Sequence, residues 1–389
     1  MSRLPDRTTW TVSLGVALGL GCGGVGPWIV GALVGTGRFD LVNASLMVTI
    51  EQMTMGAMML VLAPALHRLP RKPLLIAGVL LLLIAQGGSY GVNALVGMAL
   101  ARTLSGAGSA LIYSVSTAMG AATRDPDRTF AAAQGMTQLA AIILNPMLGV
   151  GAELPGHKGV FLVLGAFSLL IGLPFLWLAR EAPIPAPTAT RPTERAALAL
   201  PPLVGVLAVM TLFSLATGGA WNFMERVAAS VGLGGTRLGT GLIASSVIGV
   251  LGSLLANRLG TTRGRAIPLC GGLVLLGLTT LWFMTPGSPQ QFWLAVSLWA
   301  FLLTFTTPYV FGLAAALDPS GRVVAATGTA YIIVSAAGVY LGAFIVAHAG
   351  LRLFGLLALL VLAVTAALAA GVNRMIGSPP RALHPVHQS

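Results

Sequence analysis

Acidic side chains are what this chain has least of: ten Asp and Glu stand against 22 Lys and Arg in 389 residues. Charged residues of all kinds amount to 8%, where a soluble domain carries about 25%. That shortage excludes an ordinary soluble fold, whose surface has to be charged. Cysteine is nearly missing too. Cys22 and Cys270 both fall inside apolar runs, which predicts no disulfide and offers no paired metal spacing. The sequence holds no nucleotide-binding P-loop, no clustered His or Cys ligands and no nucleophile with an identifiable base. The expectation is therefore no enzyme, no cofactor and no metal. Alternating strand patterning is also lacking, which excludes a membrane β-barrel.

Apolar length is what the chain has in excess. Hydrophobic residues are 56% and glycines number 50. Charge-free stretches repeatedly reach the roughly 20 residues that cross a bilayer as a helix. They predict twelve spans: 10–31, 43–66, 74–93, 94–117, 129–151, 159–180, 202–224, 238–257, 267–285, 291–314, 323–347 and 353–373. Abundant Gly and Ala suit helices packed closely in lipid. The fold class is thus all-α integral membrane, with no soluble domain of useful size. Arg3 and Arg7 before an apolar run resemble a signal peptide, but the run is long and no small-residue cleavage site follows, which predicts a retained first helix.

Basic residues set the orientation. With the N-terminus inside, inner segments hold 16 Lys and Arg and outer loops five, with Arg102 left inside a span. Both termini are therefore expected in the cytoplasm, in a multi-pass protein of the cell (inner) membrane. The net charge of +12 then follows from topology and anionic inner-leaflet lipid, and no nucleic-acid partner is needed. Between spans six and seven, Glu181 to Leu200 carries Pro183, Pro185, Pro187 and Pro192, the composition of a semi-extended linker. The expected organisation is a half over 1–180, a cytoplasmic linker over 181–200 and a second half over 201–389.

The halves repeat each other. Asp125-Pro126, Arg128 and Gly135 return as Asp318-Pro319, Arg322 and Gly328, the glycines 193 residues apart (328 − 135). Arg68-Leu69 returns as Arg258-Leu259, Trp28 as Trp221, and Asn145 with Gly149 falls on Gly338 with Gly342. A period near half the chain marks a duplication of the whole unit.

With these residues the sequence resembles the major facilitator superfamily along its whole length. That family's loop after span two has the form G-x-L-A-D-R-x-G-R-K. Arg68, Arg71 and Lys72 match it, whereas Ala63, His67 and Pro70 replace the first Gly, the Asp and the second Gly. The second half keeps Leu255, Ala256, Arg258 and Gly260, with Asn257 at the Asp position. His67 either titrates in place of the acid or is a solvated loop residue. Arg102, Leu104, Gly106 and Gly108 fit the R-x-L-x-G-x-G pattern of proton-coupled members. Asn145-Pro146-Met147-Leu148-Gly149-Val150-Gly151 resembles the exporters' G-P-x-x-G-G, with Asn145 in place of a Gly. The resemblance implies two pseudo-symmetric six-helix bundles with a substrate site near the midplane between them, working by alternating access.

Glu51 and Arg102 carry the coupling expectation. Each lies about eight residues into a span descending from outside, hence roughly 12 Å deep at 1.5 Å per residue. An arginine there costs about 2.5–3.5 kcal/mol on insertion scales and needs a partner or a cavity. Either the two form a static pair, or Glu51 exchanges a proton to which Arg102 responds. Glu225, at the outer end of span seven, is an outer-gate or second proton site unless Trp221 and Arg226 simply anchor that end in the interface. Gln52, Tyr113, Gln138, Asn145, Asn222, Tyr309 and Tyr331 are further cavity candidates, Gln138 and Tyr331 expected to face each other across the halves. Gating is assigned to Arg68, Pro146, Gly149, Arg258, Asp125, Arg128, Asp318 and Arg322. The expected function is proton-coupled export of small amphipathic molecules by a monomer in the bilayer. The alternatives are a proton-linked importer of a small organic acid, with Arg102 binding the anion, and a non-transporting membrane sensor.

Overall fold

The computed structural model describes residues 7–66, 68–123, 126–156, 158–179, 200–260, 264–317 and 322–377, with backbone alone at 22–23, 126–128, 322, 324–326 and 377. His67, Asp125, Asp318 and nearly all of the Pro-rich linker lie outside the described residues, as do the side chains of Arg128 and Arg322. Every regular element among the described residues is a helix. The first half comprises α1 (Arg7–Gly23), α2 (Gly26–Gly35), α3 (Leu41–Leu62), α4 (Arg71–Gly91), α5 (Leu95–Ala121), α6 (Pro126–Ala152) and α7 (Lys158–Leu178). The second comprises α8 (Leu200–Asn222), α9 (Met224–Ser230), α10 (Gly235–Leu259), α11 (Ala266–Met284), α12 (Pro289–Leu317) and α13 (Arg322–Gly377).

These make twelve crossings. The first is broken between α1 and α2, where Gly23, Gly24 and Gly26 favour the helix poorly and Pro27 has no N–H to give it. The seventh is also broken, further along its length, between α8 and α9. A short loop was expected between spans eleven and twelve. Instead α13 carries both crossings, joined at Gly350 (φ 80°, ψ 170°). That backbone conformation favours glycine, so one residue does what a loop was expected to do.

Helices α1 to α7 pack among themselves into one bundle and α8 to α13 into another. The bundles meet chiefly through α3 against α13 and α6 against α10, with α2 touching α8 and α9. Twelve crossings bring both described chain ends to one side, called here the terminal end; the opposite side is the far end. Backbone contact across the halves is close towards the far end. A Cβ on Gly149 would lie 2.6 Å from the Gly235 carbonyl oxygen, and one on Gly239 would lie 2.5 Å from that of Asn145. The Thr49 hydroxyl of α3 donates to the Ala336 carbonyl of α13 at 3.1 Å. The bundles therefore close against each other at the far end.

Candidate functional site

Fully buried charged residues occur in only one of the two bundles among the described residues. Arg102 of α5 is 0% exposed and Glu51 of α3 is 2% exposed, and the guanidinium donates from Nη1 to Glu51 Oε2 at 3.2 Å. Nη2 donates to Gln86 Oε1 at 2.9 Å, to Ser89 Oγ at 2.5 Å and, more weakly, to the Ala85 carbonyl at 3.4 Å, all on α4. Ser105 holds the other carboxylate oxygen, Oε1, at 2.5 Å. The Phe161 ring of α7 covers the guanidinium at 4.8 Å from its centroid. A buried ion pair needs further hydrogen bonds to both groups; α4 supplies them to Nη2 and α5 to the Glu51 carboxylate, while Arg102 Nε is buried without a partner.

Two glycines allow this arrangement. A Cβ on Gly106 would run into the Glu51 carbonyl, and one on Gly108 would lie 2.7 Å from the Gly78 carbonyl oxygen. Both glycines of the R-x-L-x-G-x-G pattern therefore let α5 approach α3 and α4 at the level of the pair. Equal depth was expected for the two charges. Glu51 is ten residues from the start of α3 (51 − 41) and Arg102 seven from that of α5 (102 − 95), a difference of about 4.5 Å of rise that the long arginine side chain spans.

The cavity lies elsewhere. About 270 Å³ of space sits between the bundles, walled by α1, α6, α8, α10 and α12. Trp221 and Trp299 form one wall as a parallel stack with centroids 6.1 Å apart and planes at 12°. Thr137, Gln138, Asn145, Ser245, Ser246 and Thr304 supply the polar atoms, and no lining side chain is charged. Several of those polar atoms are already engaged. Asn145 Oδ1 accepts from the Trp28 indole at 3.0 Å, Ser245 and Ser297 share a hydrogen bond of 3.1 Å, and Thr304 donates to the Gly249 carbonyl at 2.5 Å.

Trp221 overturns its expected role as an interfacial anchor. Its indole N–H donates across the halves to the Gly24 carbonyl at 2.9 Å, at the break in the first crossing. The break frees that carbonyl from the helix ladder, so the tryptophan supplies the missing donor. Asn222 sits beside it, buried, with its amide donating to the Gly218 carbonyl at 2.9 Å and its Oδ1 against Gly26. Glu225 is half-buried on α9 and its carboxylate lies against Gly31 of α2. It is therefore at the contact between halves near the far end.

Other candidates separate. Gln138 and Asn145 line the cavity, whereas Tyr331 packs between Phe213 and Phe311 of its own half, with ring centroids at 6.3 and 6.0 Å. The expected meeting of Gln138 and Tyr331 is thus not made. Tyr309 donates to the Ala256 carbonyl at 3.2 Å, nearer the terminal end, and Tyr113 packs against Gly19. Gln52 is half-buried on α3. Pro146 lies in α6 at the close contact with Gly239, one turn before Gly149. Arg68 and Arg258 are exposed at the terminal end. Sequence reasoning missed Trp299, Ser245, Gln86, Ser89 and Ser105. Nothing distinguishes a serine or tryptophan at a helix contact from one facing lipid until the helices are packed.

One further contact joins the halves. Glu153, just past α6, accepts from the Thr236 backbone N–H of α10 at 2.8 Å. Helix α10 has no cap of its own, since Gly234 makes no side-chain cap bond, and Glu153 fills that role from the other half. The donated bonds from Thr236 hold the Glu153 carboxyl below its usual value.

The family model of the Major Facilitator Superfamily matches residues 11–331. Among solved structures, the chain is similar to a bacterial homologue of the human lysosomal transporter Spinster in an inward-facing and unoccupied conformation. The TM-score is 0.74 at 15% identity, covering 96% of this chain and 98% of that one. At that identity the likeness is one of fold. No curated protein sequence matches the chain.

Proposed function

The chain belongs to the major facilitator superfamily, so it is a secondary transporter working by alternating access and not an enzyme, and we propose that it couples protons to the export of small uncharged amphipathic molecules. The observation that carries this reading is the separation of charge from the cavity. Glu51 and Arg102 are closed inside the first half, while the wall offered to a ligand is aromatic and neutral. A charged ligand in that cavity would be desolvated without a counter-charge, which is costly.

Coupling runs through Glu51. Burial opposes its charge and Arg102 favours it, so a change in packing between α3 and α5 shifts the balance between its two protonation states. The importer alternative needs Arg102 to hold a substrate anion. Glu51, Gln86 and Ser89 already occupy its Nη1 and Nη2, which disfavours that reading. The sensor alternative has no observation in its favour. Export as the direction rests on the Asn145-to-Gly151 pattern and on α6 packing against α10 there.

The surplus of arginine and lysine puts the terminal end in the cytoplasm of a cell (inner) membrane. The conformer described here is then closed on the outer side. A small-molecule substrate, protons and the bilayer are its partners, and the transporter works as a monomer. The experiment is counterflow and pH-driven flux in proteoliposomes, using neutral aromatic compounds and their carboxylate analogues. Neutral compounds should be transported and the carboxylates not, and Glu51→Gln should remove the dependence on an imposed pH gradient. Unchanged dependence in that variant would sink the coupling role. Binding without flux would leave a sensor.

A further inference from the structure

A second cavity, of about 380 Å³, lies one helical turn along α10 and α12 from the central one, towards the terminal end. Ser253 and Asn257 line it from α10, Tyr309 and Gly312 from α12, and Arg265 from the cap position of α11. Among the described residues Arg265 is the one charged side chain in the lining. Its Nε is buried with no hydrogen-bond partner, and burial pushes the guanidinium down from its usual value. A guanidinium has five donors and no acceptor, so a buried, unmatched N–H on it calls for an acceptor, best of all a charged one.

The guanidinium lies beside a residue without a side chain. A Cβ on Gly312 would sit 3.4 Å from Arg265 Nε and 3.7 Å from its Cζ, so the guanidinium rests on the bare face of α12 beside the cavity. Asn257 makes no hydrogen bond among the described residues, which leaves its amide as a neutral donor there. In the first half Arg71, at the start of α4, also has a buried Nε and Nη2 without partners.

We propose that the Arg265 cavity binds a single phosphate-type anion, with Arg265 supplying the charge and Asn257 a neutral donor. The anion is either the headgroup of a lipid in the leaflet at the terminal end or a free phosphate. Both present the same oxygens to the guanidinium.

The test measures thermal unfolding and ligand titration of the full chain. It is run in neutral detergent with inorganic phosphate, and in nanodiscs of phosphatidylcholine with or without phosphatidylglycerol. Stabilisation by phosphate in detergent identifies the free anion, and stabilisation by phosphatidylglycerol alone identifies the headgroup. In either case Arg265→Gln should weaken the effect about tenfold or more, and Gly312→Leu, which fills the cavity and keeps the charge, should abolish it. Arg237→Gln, an exposed arginine at the opposite end of α10, should leave it unchanged. The proposal is overturned if neither anion stabilises the wild type, or if Arg265→Gln and Gly312→Leu respond as the wild type does.

Discussion

The two halves share a plan and differ in what they bury. At the level where the first half holds Arg102, the second has Ala295 (102 + 193), fully buried. In place of a charge network it packs aromatic rings, with Trp299 stacked on Trp221 and tilted against Phe283 at 5.9 Å. The Trp299 indole donates to Thr280 at 3.1 Å, so even its polar atom is satisfied inside the bundle. Duplication thus preserved the scaffold while one copy came to hold charge and the other the wall of the cavity.

Trp28 and Trp221 show the same divergence at one pair of residues. Trp28 bonds within its half, to Asn145. The residue matching Asn145 in the second half is Gly338, which has no side chain to accept. Trp221 instead reaches across to Gly24. Helix starts differ likewise: Asp40 caps α3 from its own chain segment at 2.7 Å, while α10 borrows Glu153. At these two pairs of positions the first copy bonds internally, and the second bonds only when the halves touch.

Removing one partner of the charge network should have the largest effect. Arg102→Ala leaves Glu51 buried and unpaired, which should cost about 3–5 kcal/mol of stability. The double variant Arg102→Leu with Glu51→Leu should recover much of that loss in thermal unfolding. If the single variant unfolds like the wild type, the contrast between the halves collapses.

Trp299→Ala should act next most strongly, and on binding. Loss of the stacked partner should weaken a neutral aromatic ligand by about 0.5–1.5 kcal/mol, or up to about tenfold, as read by fluorescence titration. The pH-gradient dependence of flux should survive in this variant. Its loss would mean that the charge network and the aromatic wall are not separate devices.

The two tryptophans should then respond differently to one chemical change. Trp28→Phe deletes a hydrogen bond within a half and should lower stability by about 0.5–1.5 kcal/mol without altering the distance across the far ends of α6 and α10. Trp221→Phe deletes a bond between halves and should lengthen the average of that distance in spin-label measurements. Identical behaviour of the two variants would contradict the division into internal and shared bonds.

Glu153 should give the smallest effect, being an exposed residue. Its carboxyl is held low in the closed conformer by Thr236, so closure at the far end is favoured above the ordinary glutamate value of about 4.3. That contribution fades as pH falls through the lowered value, because protonation removes the acceptor charge. Glu153→Gln should flatten this dependence in far-end cysteine accessibility, whereas Asp40→Ala should destabilise the protein and leave the dependence in place.

Much of the fold was legible because lipid leaves few options. Backbone groups without water must pair inside a helix, so apolar length alone located the crossings to within a few residues. The charged pair was legible too, since Glu51 and Arg102 stand out in runs that otherwise exclude charge. Trp221 was misread for the opposite reason. A tryptophan near a span end suits the interface equally well, and only the packing of α8 against the broken first crossing shows that it bonds to Gly24. Tyr331 was misread because the repeat gives corresponding positions but not directions, and in its half Phe213 and Phe311 enclose it.

By itself the sequence determined a twelve-crossing helical membrane protein, duplicated, with one conspicuous acid and one conspicuous base inside it. Hydrophobic length, charge scarcity and the repeat are properties of the chain read in order, so they needed no coordinates. Tertiary structure alone decided that the charged pair is shut off from the cavity, that the cavity is aromatic and neutral, and that the halves are closed at the far end. Those depend on which helix faces which, and that is set by side chains brought together from positions 50 to 200 residues apart.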